Sequence, residues 1–249
     1  MSVRGRPRIP ARPHGHKWGE RMRGPSGLAA IWTGLISYWY LGEASGTRVD
    51  TVGVNNLTDN NTVLSAAGIS GDAAEFVGAS SEYLSRSNAD AATLRLGDSF
   101  SFSAWFRPTG NATSQMIVAK DYDVARGYAF YYDTNAKIQF QLSATGGGLN
   151  TGVISTNSPT NNAWNHVAVT YNHLTNSAVV YLNGTATTAA QASATDESAA
   201  EFDIGREAYP GFPFYMTGRI DEVGCWDRAL TAQECTDLYN GGAGKFYPN

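Results

Sequence analysis

Phe100-Ser-Phe-Ser-Ala-Trp-Phe-Arg-Pro108 decides the fold class. Phe100, Phe102, Ala104 and Phe106 occupy every second position, and Ser101, Ser103 and Trp105 fill the gaps. A period of two places one set of side chains on each face of an extended strand, and the aromatic set needs a second layer to bury against. Pro108 ends the run, because it has no amide to donate to a neighbouring strand.

Working outward, similar short runs recur about every ten residues, separated by Gly, Asn, Asp and Ser. Strands are expected at residues 35–40, 73–77, 82–86, 116–119, 128–132, 137–142, 166–171, 178–182, 185–189, 202–204 and 218–226. Asn183-Gly184 is the residue pair of a type I′ hairpin, and Asp133-Thr-Asn-Ala136 reads as a second hairpin turn. Many short strands at even spacing mean a sandwich or barrel. One segment departs from this period. Leu230, Cys235, Leu238 and Tyr239 recur at helical spacing, Thr231 and Glu234 form a capping box, and Asn240-Gly241 supplies the stop. The expected fold is therefore all-β, a sandwich or barrel with one short C-terminal helix.

Charge divides the 249 residues into two parts. Residues 1–25 carry Arg4, Arg6, Arg8, Arg12, Lys17, Arg21 and Arg23 against Glu20 alone, a net +6. The remainder holds 11 basic and 21 acidic residues, a net −10. Residues 1–33 also contain Pro7, Pro10, Pro13, Pro25 and five glycines, a composition that supports no core. They are read as an extended arm, and residues 34–249 as one domain. The basic arm is expected to anchor on an acidic protein partner, and the acidic body argues against nucleic acid. The apolar run Leu28–Trp32 has five residues, too few for a secretory core of roughly 7–15, and no stretch approaches the roughly 20 of a membrane span. Cys225 and Cys235 are the only cysteines; two buried thiols and one local disulfide both fit them.

Six stretches resemble one family pattern. They are Leu35-Ile-Ser-Tyr-Trp-Tyr-Leu-Gly-Glu43, the strand at Phe100, Trp164-Asn-His-Val-Ala-Val-Thr-Tyr171, Val180-Tyr-Leu-Asn-Gly184, Ile204-Gly205, and Gly218-Arg-Ile-Asp-Glu-Val-Gly-Cys-Trp-Asp-Arg-Ala-Leu-Thr-Ala-Gln-Glu234. In that order they resemble laminin G-like, concanavalin A-like domains. The resemblance implies a jelly-roll sandwich of two curved antiparallel sheets. It makes Trp105 and Trp164 structural, His166 a strand residue near the core, and Asp221 an acceptor for a neighbouring loop. It also brings calcium into consideration: where relatives carry two loop acids, Val77 and Ser81 stand instead, leaving Glu82, and Asp121 with Asp123 is a second candidate pair.

The fold also hosts β-glucanases, whose retaining members need two carboxylates roughly 5–5.5 Å apart. The stretch Glu201-Phe-Asp-Ile-Gly-Arg-Glu207 comes nearest, but its end residues lie about 20 Å apart along extended chain. Catalysis is not expected. Neither a Ser–His–Asp set nor a zinc spacing is present. Tyr122, Tyr209, Phe212 and Phe214, the last three in an aromatic, proline-bearing loop, are candidates for a contact surface that could hold a glycan. The leading expectation is a non-enzymatic virion surface component, such as a bacteriophage decoration, head-fibre or tail protein, bound to a particle shell by its arm and able to self-associate. A secreted or surface carbohydrate-binding module is the alternative, and a glucanase-type hydrolase the remote one.

Overall fold

The computed structural model describes Met1 and residues 31–122, 125–144, 148–149, 152–190, 199–208 and 214–248. Arg4, Arg6, Arg8, Arg12, Lys17, Arg21 and Arg23, together with Asp123, Tyr209 and Phe212, lie outside these residues.

In chain order the strands are β1 (Leu35–Trp39), β2 (Thr58–Asn60), β3 (Leu64–Ala67), β4 (Asp72–Phe76), β5 (Tyr83–Arg86), β6 (Phe100–Pro108), β7 (Gln115–Tyr122), β8 (Ala125–Tyr132), β9 (Ile138–Ala144), β10 (Gly148–Leu149), β11 (Val153–Ile154), β12 (Asn165–Asn172), β13 (Ser177–Leu182), β14 (Thr185–Ala190), β15 (Phe202–Ile204) and β16 (Gly218–Trp226). Helix α1 covers Ala232–Tyr239. All pairings named here are antiparallel. The first sheet runs β14-β13-β12-β6-β16-β4-β3, with β1 also on β16; the second runs β10-β9-β8-β7-β15-β5-β2, with β11 on β9.

The core lies between the sheets. Phe100, Phe102, Ala104 and Phe106 point into it from β6, as their spacing requires, and meet Tyr128, Phe130, Tyr132 and Phe140 from the second sheet. Phe102 packs on Tyr128 with ring centroids 5.1 Å apart. Trp39 lies fully buried against Phe202, and its indole N–H donates to the Asn55 carbonyl.

The local signals do what their chemistry predicts. Asn183 and Gly184 both take positive φ (48° and 76°), the backbone of a hairpin turn that twists with its strands. Thr231 accepts from the Glu234 amide while Glu234 reaches back, closing the capping box, and Asn240 ends α1 in the left-handed region. Gly205 ends β15 at φ 85°; a Cβ there would lie 2.6 Å from the Phe76 ring.

A second apolar layer covers the outer side of the first sheet. Ile31, Trp226, Leu230, Cys235 and Leu238 pack there around α1, joined by Trp32. Trp226 donates its indole N–H to the Ile31 carbonyl at 2.8 Å. Residues 31–33, counted with the arm on sequence, are thus part of the folded body. Cys225 faces the inter-sheet core and Cys235 the outer layer, so β16 separates two free, buried thiols. Burial raises both, Cys235 to about 12.

Candidate functional site

Three places gather polar side chains. The first is the outward face of the second sheet. The hairpin turn at Asp133 sets the register of β8 on β9. The Asp133 amide donates to the Lys137 carbonyl, and its carboxylate accepts from the Asn135 and Lys137 amides at 2.9 and 2.8 Å. That register puts Tyr131 opposite Gln139 and Ala129 opposite Gln141. All four side chains point away from the core, because Phe130, Phe140 and Leu142 alternate with them inward.

The polar ones form a ladder. Tyr131 donates its hydroxyl to Gln139 Oε1 at 2.9 Å and accepts from Gln141 Nε2 at 2.9 Å. Gln139 Nε2 donates onward to the Asp133 carboxylate. Tyr131 rests on a small apolar floor of Met116, Ala119 and Ala129, while its ring, Gln139 and Gln141 stay half-buried. Across β7 and β15, the Arg206 guanidinium stacks 3.6 Å from the centroid of the Tyr83 ring. It also pairs with Glu201 at 2.6 Å and Asp203 at 2.8 Å.

Glu201 and Asp203 therefore come much closer than the ends of the Glu201–Glu207 stretch, whose wide spacing argued against catalysis. Both meet the same guanidinium nitrogen, which occupies the space a scissile glycosidic bond would need. Burial raises Asp203 to about 7 despite Arg206.

The second place is where β16 exchanges β4 for β1 along one edge. Gly218–Ile220 pair with β4, and Val223–Trp226 with β1. Between them the ladder slips, and Glu222 takes φ 52°, strained for a residue with a side chain. Asp221 Oδ2 accepts from the Ile69 amide at 2.9 Å and the Ser70 amide at 3.4 Å, which is the loop contact expected of it. Tyr38 donates to Glu222 Oε2 at 2.5 Å, and the Tyr247 amide donates to Tyr38. Burial raises Asp221 to about 8 and Glu222 to about 7.

The third place is a Ser–His contact invisible in the sequence, because its members are 63 residues apart: Ser103 Oγ lies 2.8 Å from His166 Nε2. Nucleophilic catalysis needs the base oriented by a third group and reached by substrate. His166 Nδ1 has no hydrogen-bond partner among the described residues, Trp105 and Tyr239 lie over the ring, and burial lowers the imidazole to about 3. His166 is a buried strand residue, as expected.

The other expected residues scatter. Ser85, Asp203 and Ala119 share one row, so Glu82 lies three residues to one side and Asp121 two to the other, about 16 Å apart along the strands. They cannot share one calcium ion. Glu82 instead accepts from the Val77 amide at 2.7 Å. Among the described residues no three His, Cys, Asp or Glu side chains gather as a metal site would require. Tyr122 ends β7, and its side chain lies outside the described residues. Phe214 is half-buried, and its carbonyl accepts from the Glu207 amide at 3.3 Å. Arg206 and Tyr215 also form a bridge, so Glu207 and Phe214 lie next to each other. Trp164 is half-buried just before β12, not in the core. Trp105 is 3% exposed and stacks on Tyr239 of α1.

The family description "Concanavalin A-like lectin/glucanases superfamily" matches residues 78–236, well over half of the chain. The protein belongs to this concanavalin A-like superfamily. No curated protein matches it significantly. Solved structures with the same fold include a Trypanosoma rangeli sialidase mutant displaying trans-sialidase activity (TM-score 0.64, 16% identity, 86% of this chain and 34% of that one). The binding domain of Paraclostridial Mosquitocidal Protein 1 superposes with TM-score 0.66 at 15% identity, over 85% of this chain and 53% of that one. Domain 4 of AbnA, an extracellular arabinanase of Geobacillus stearothermophilus solved with arabinotriose, has TM-score 0.56 and 18% identity, over 82% of this chain and 98% of that one. The chain thus spans about a third of the sialidase and about half of the toxin domain. At these identities the likeness is one of fold. No helix among the described residues is long and apolar enough to cross a membrane.

Proposed function

We propose that this concanavalin A-like protein is a non-catalytic glycan-binding module whose sugar site is the outward face of the second sheet around Tyr131. The carrying observation is the ladder of Tyr131, Gln139 and Gln141. It sets a half-buried aromatic ring beside amide groups that both donate and accept, the chemistry that sugar hydroxyls and ring faces require. Domain 4 of AbnA holding arabinotriose, and a botulinum neurotoxin DC binding domain in complex with SialylT (TM-score 0.63, 16% identity, 84% of this chain and 52% of that one), lend support from the same fold.

The way the acids are engaged supports the non-catalytic part of this reading. Glu201 and Asp203 close on Arg206, while Asp221 and Glu222 are buried and bonded to the 69–70 loop and Tyr38. A glycan array of the whole protein, followed by calorimetry on Tyr131→Ala, tests the reading. A sugar bound at micromolar strength and weakened at least tenfold in the variant is the expected result. Release of reducing sugar from β-glucans would refute the non-catalytic part.

The basic arm favours a second element. A +6 segment on a −10 body is suited to lie along an acidic protein surface, ordering as it binds. We place the module on a particle shell, a virion surface in the first instance, with residues 1–30 as its tether. Deletion should stop at Ala30, because Ile31 anchors Trp226. The truncated protein should keep its melting temperature and lose particle incorporation. Unchanged incorporation would remove the tether from the proposal.

A further inference from the structure

Lys120 carries a charge where a charge is least welcome. It sits on β7 and is fully buried. Its amine donates to Asn88 Oδ1 at 3.0 Å and to the Ala200 carbonyl. Among the described residues both partners are uncharged, and a buried ammonium without a paired carboxylate is costly. Burial accordingly lowers Lys120 to about 8; the charge of Arg95 adds to the effect, while Asp203 and Glu201 oppose it.

The sequence hides this meeting, since the two residues lie 32 positions apart. Asn88 follows β5, and β15 runs between β5 and β7 in the second sheet. A fixed turn presents the Asn88 carboxamide. The Asp90 and Ala91 amides donate to the Ser87 carbonyl at 3.1 and 3.0 Å, and Ser87 Oγ donates to Asp90 Oδ2 at 2.6 Å. Lys120 thus reaches from β7 past the start of β15 to the turn after β5.

The carboxamide carbon lies one C=O bond, about 1.2 Å, beyond Oδ1, and so no more than about 4.2 Å from Nζ. A desolvated lysine beside another cation is an activated nucleophile. With one proton lost, the amine keeps two N–H groups and a lone pair. The Ala200 carbonyl holds one N–H, and rotation about the last side-chain bond turns the lone pair onto Asn88 Cγ. The held geometry supplies the effective concentration that a free amine and a free carboxamide lack.

We propose that Lys120 and Asn88 join in an isopeptide bond, a covalent brace from β7 to the end of β5 across β15. Nζ bonds to Asn88 Cγ and the Cγ–Nδ2 bond breaks. Nδ2 departs as ammonia with the proton that the amine gives up, relayed by water at half-buried Asn88. Nothing is oxidised or reduced, and no cofactor is consumed. The link closes a loop between residues 32 positions apart, and cross-links stabilise chiefly by restricting the unfolded chain.

The test is the intact mass of the full chain, as purified and after overnight incubation at pH 9, above the Lys120 value of about 8. Most molecules should be lighter than their sequence by one ammonia. A tryptic digest should contain residues 87–95 joined to residues 96–126, with fragment ions placing the branch on Lys120 and Asn88. Asn88→Ala and Lys120→Met should each keep their full sequence mass. Full mass in the native chain after incubation would overturn the proposal, whatever the variants do. So would an ammonia loss that survives in both variants or maps to Asn183 or Asn240, each followed by glycine, since ring closure at an Asn–Gly pair also releases ammonia.

Discussion

The two outer faces of the sandwich end differently. On the first sheet the chain closes its own surface. Helix α1, residues 31–35 and the tail at Tyr247 stack over it, with Trp32 lying on Trp226 and edge-on to Tyr38 and Tyr247. Beneath that cover Asp221 and Glu222 are buried carboxylates with raised pKa values, and burial lowers His166. On the second sheet the ladder at Tyr131 satisfies its groups mutually and remains half-buried. On the proposed reading, the face that the chain roofs over is structural and the open one binds. Perturbation marks functional sites only probabilistically, and here it follows from roofing over a strand exchange.

The largest expected effect breaks the closed face. Trp226→Ala removes a fully buried indole, its bond to Ile31 and its stack with Trp32, and should cost about 3–5 kcal/mol in urea unfolding. A cost below about 1 kcal/mol would show that the cover contributes little.

Next comes the pH dependence of that face. Asp221 and Glu222 have folded pKa values above their ordinary ones, so the native state holds more protons than the unfolded chain between about pH 4 and 8. Their contribution is full below about pH 4 and is lost as pH rises through about 7 and 8. Asp221→Asn keeps an acceptor for the Ile69 and Ser70 amides and removes that loss. It should gain stability relative to the native protein on going from pH 5 to pH 9, by something on the order of 1–3 kcal/mol. Parallel pH curves for the two proteins would contradict the assignment.

A smaller effect is expected at Trp164. As a core residue it would cost about 3–5 kcal/mol on truncation to alanine; half-buried, it should cost about 1–2 kcal/mol, measured in the same way.

What was legible in the sequence was what local chemistry dictates. The Phe100 strand, the Asn183-Gly184 turn and the Thr231 capping box each depend on a few adjacent residues, and each lies where its pattern put it. Strands β2, β3, β10 and β11 were missed, since runs of two to four residues are too short to carry a period. Trp164 and Trp105 carry the same structural expectation, yet Trp105 is buried and Trp164 half-buried, a difference decided by packing. The ladder was hidden for another reason. Tyr131, Gln139 and Gln141 are ordinary residues for a solvent face, and only register makes them neighbours. The signal was present, however: the turn at Asp133 fixes that register, and counting back from it pairs Tyr131 with Gln139. Ser103 and His166 offered no such local handle.

The smallest expected cost, that of Tyr131→Phe, sharpens the comparison most when the same change is made on both faces. Tyr38 and Tyr131 each donate and accept one side-chain-mediated hydrogen bond through the phenol. Under the closed face, Tyr38→Phe strips a carboxylate of its donor at 2.5 Å and the Tyr247 amide of its acceptor, where water has little access. That should cost about 1–3 kcal/mol, the range for a buried polar group left unpaired beside a charge. On the other face, Tyr131→Phe leaves Gln139 and Gln141 half-buried, still bonded to each other at 3.3 Å and able to turn to solvent. Its cost in unfolding should stay below about 0.5 kcal/mol. Equal costs would mean that the Tyr131 hydroxyl is as structural as that of Tyr38, and the ladder would then be a brace for the hairpin.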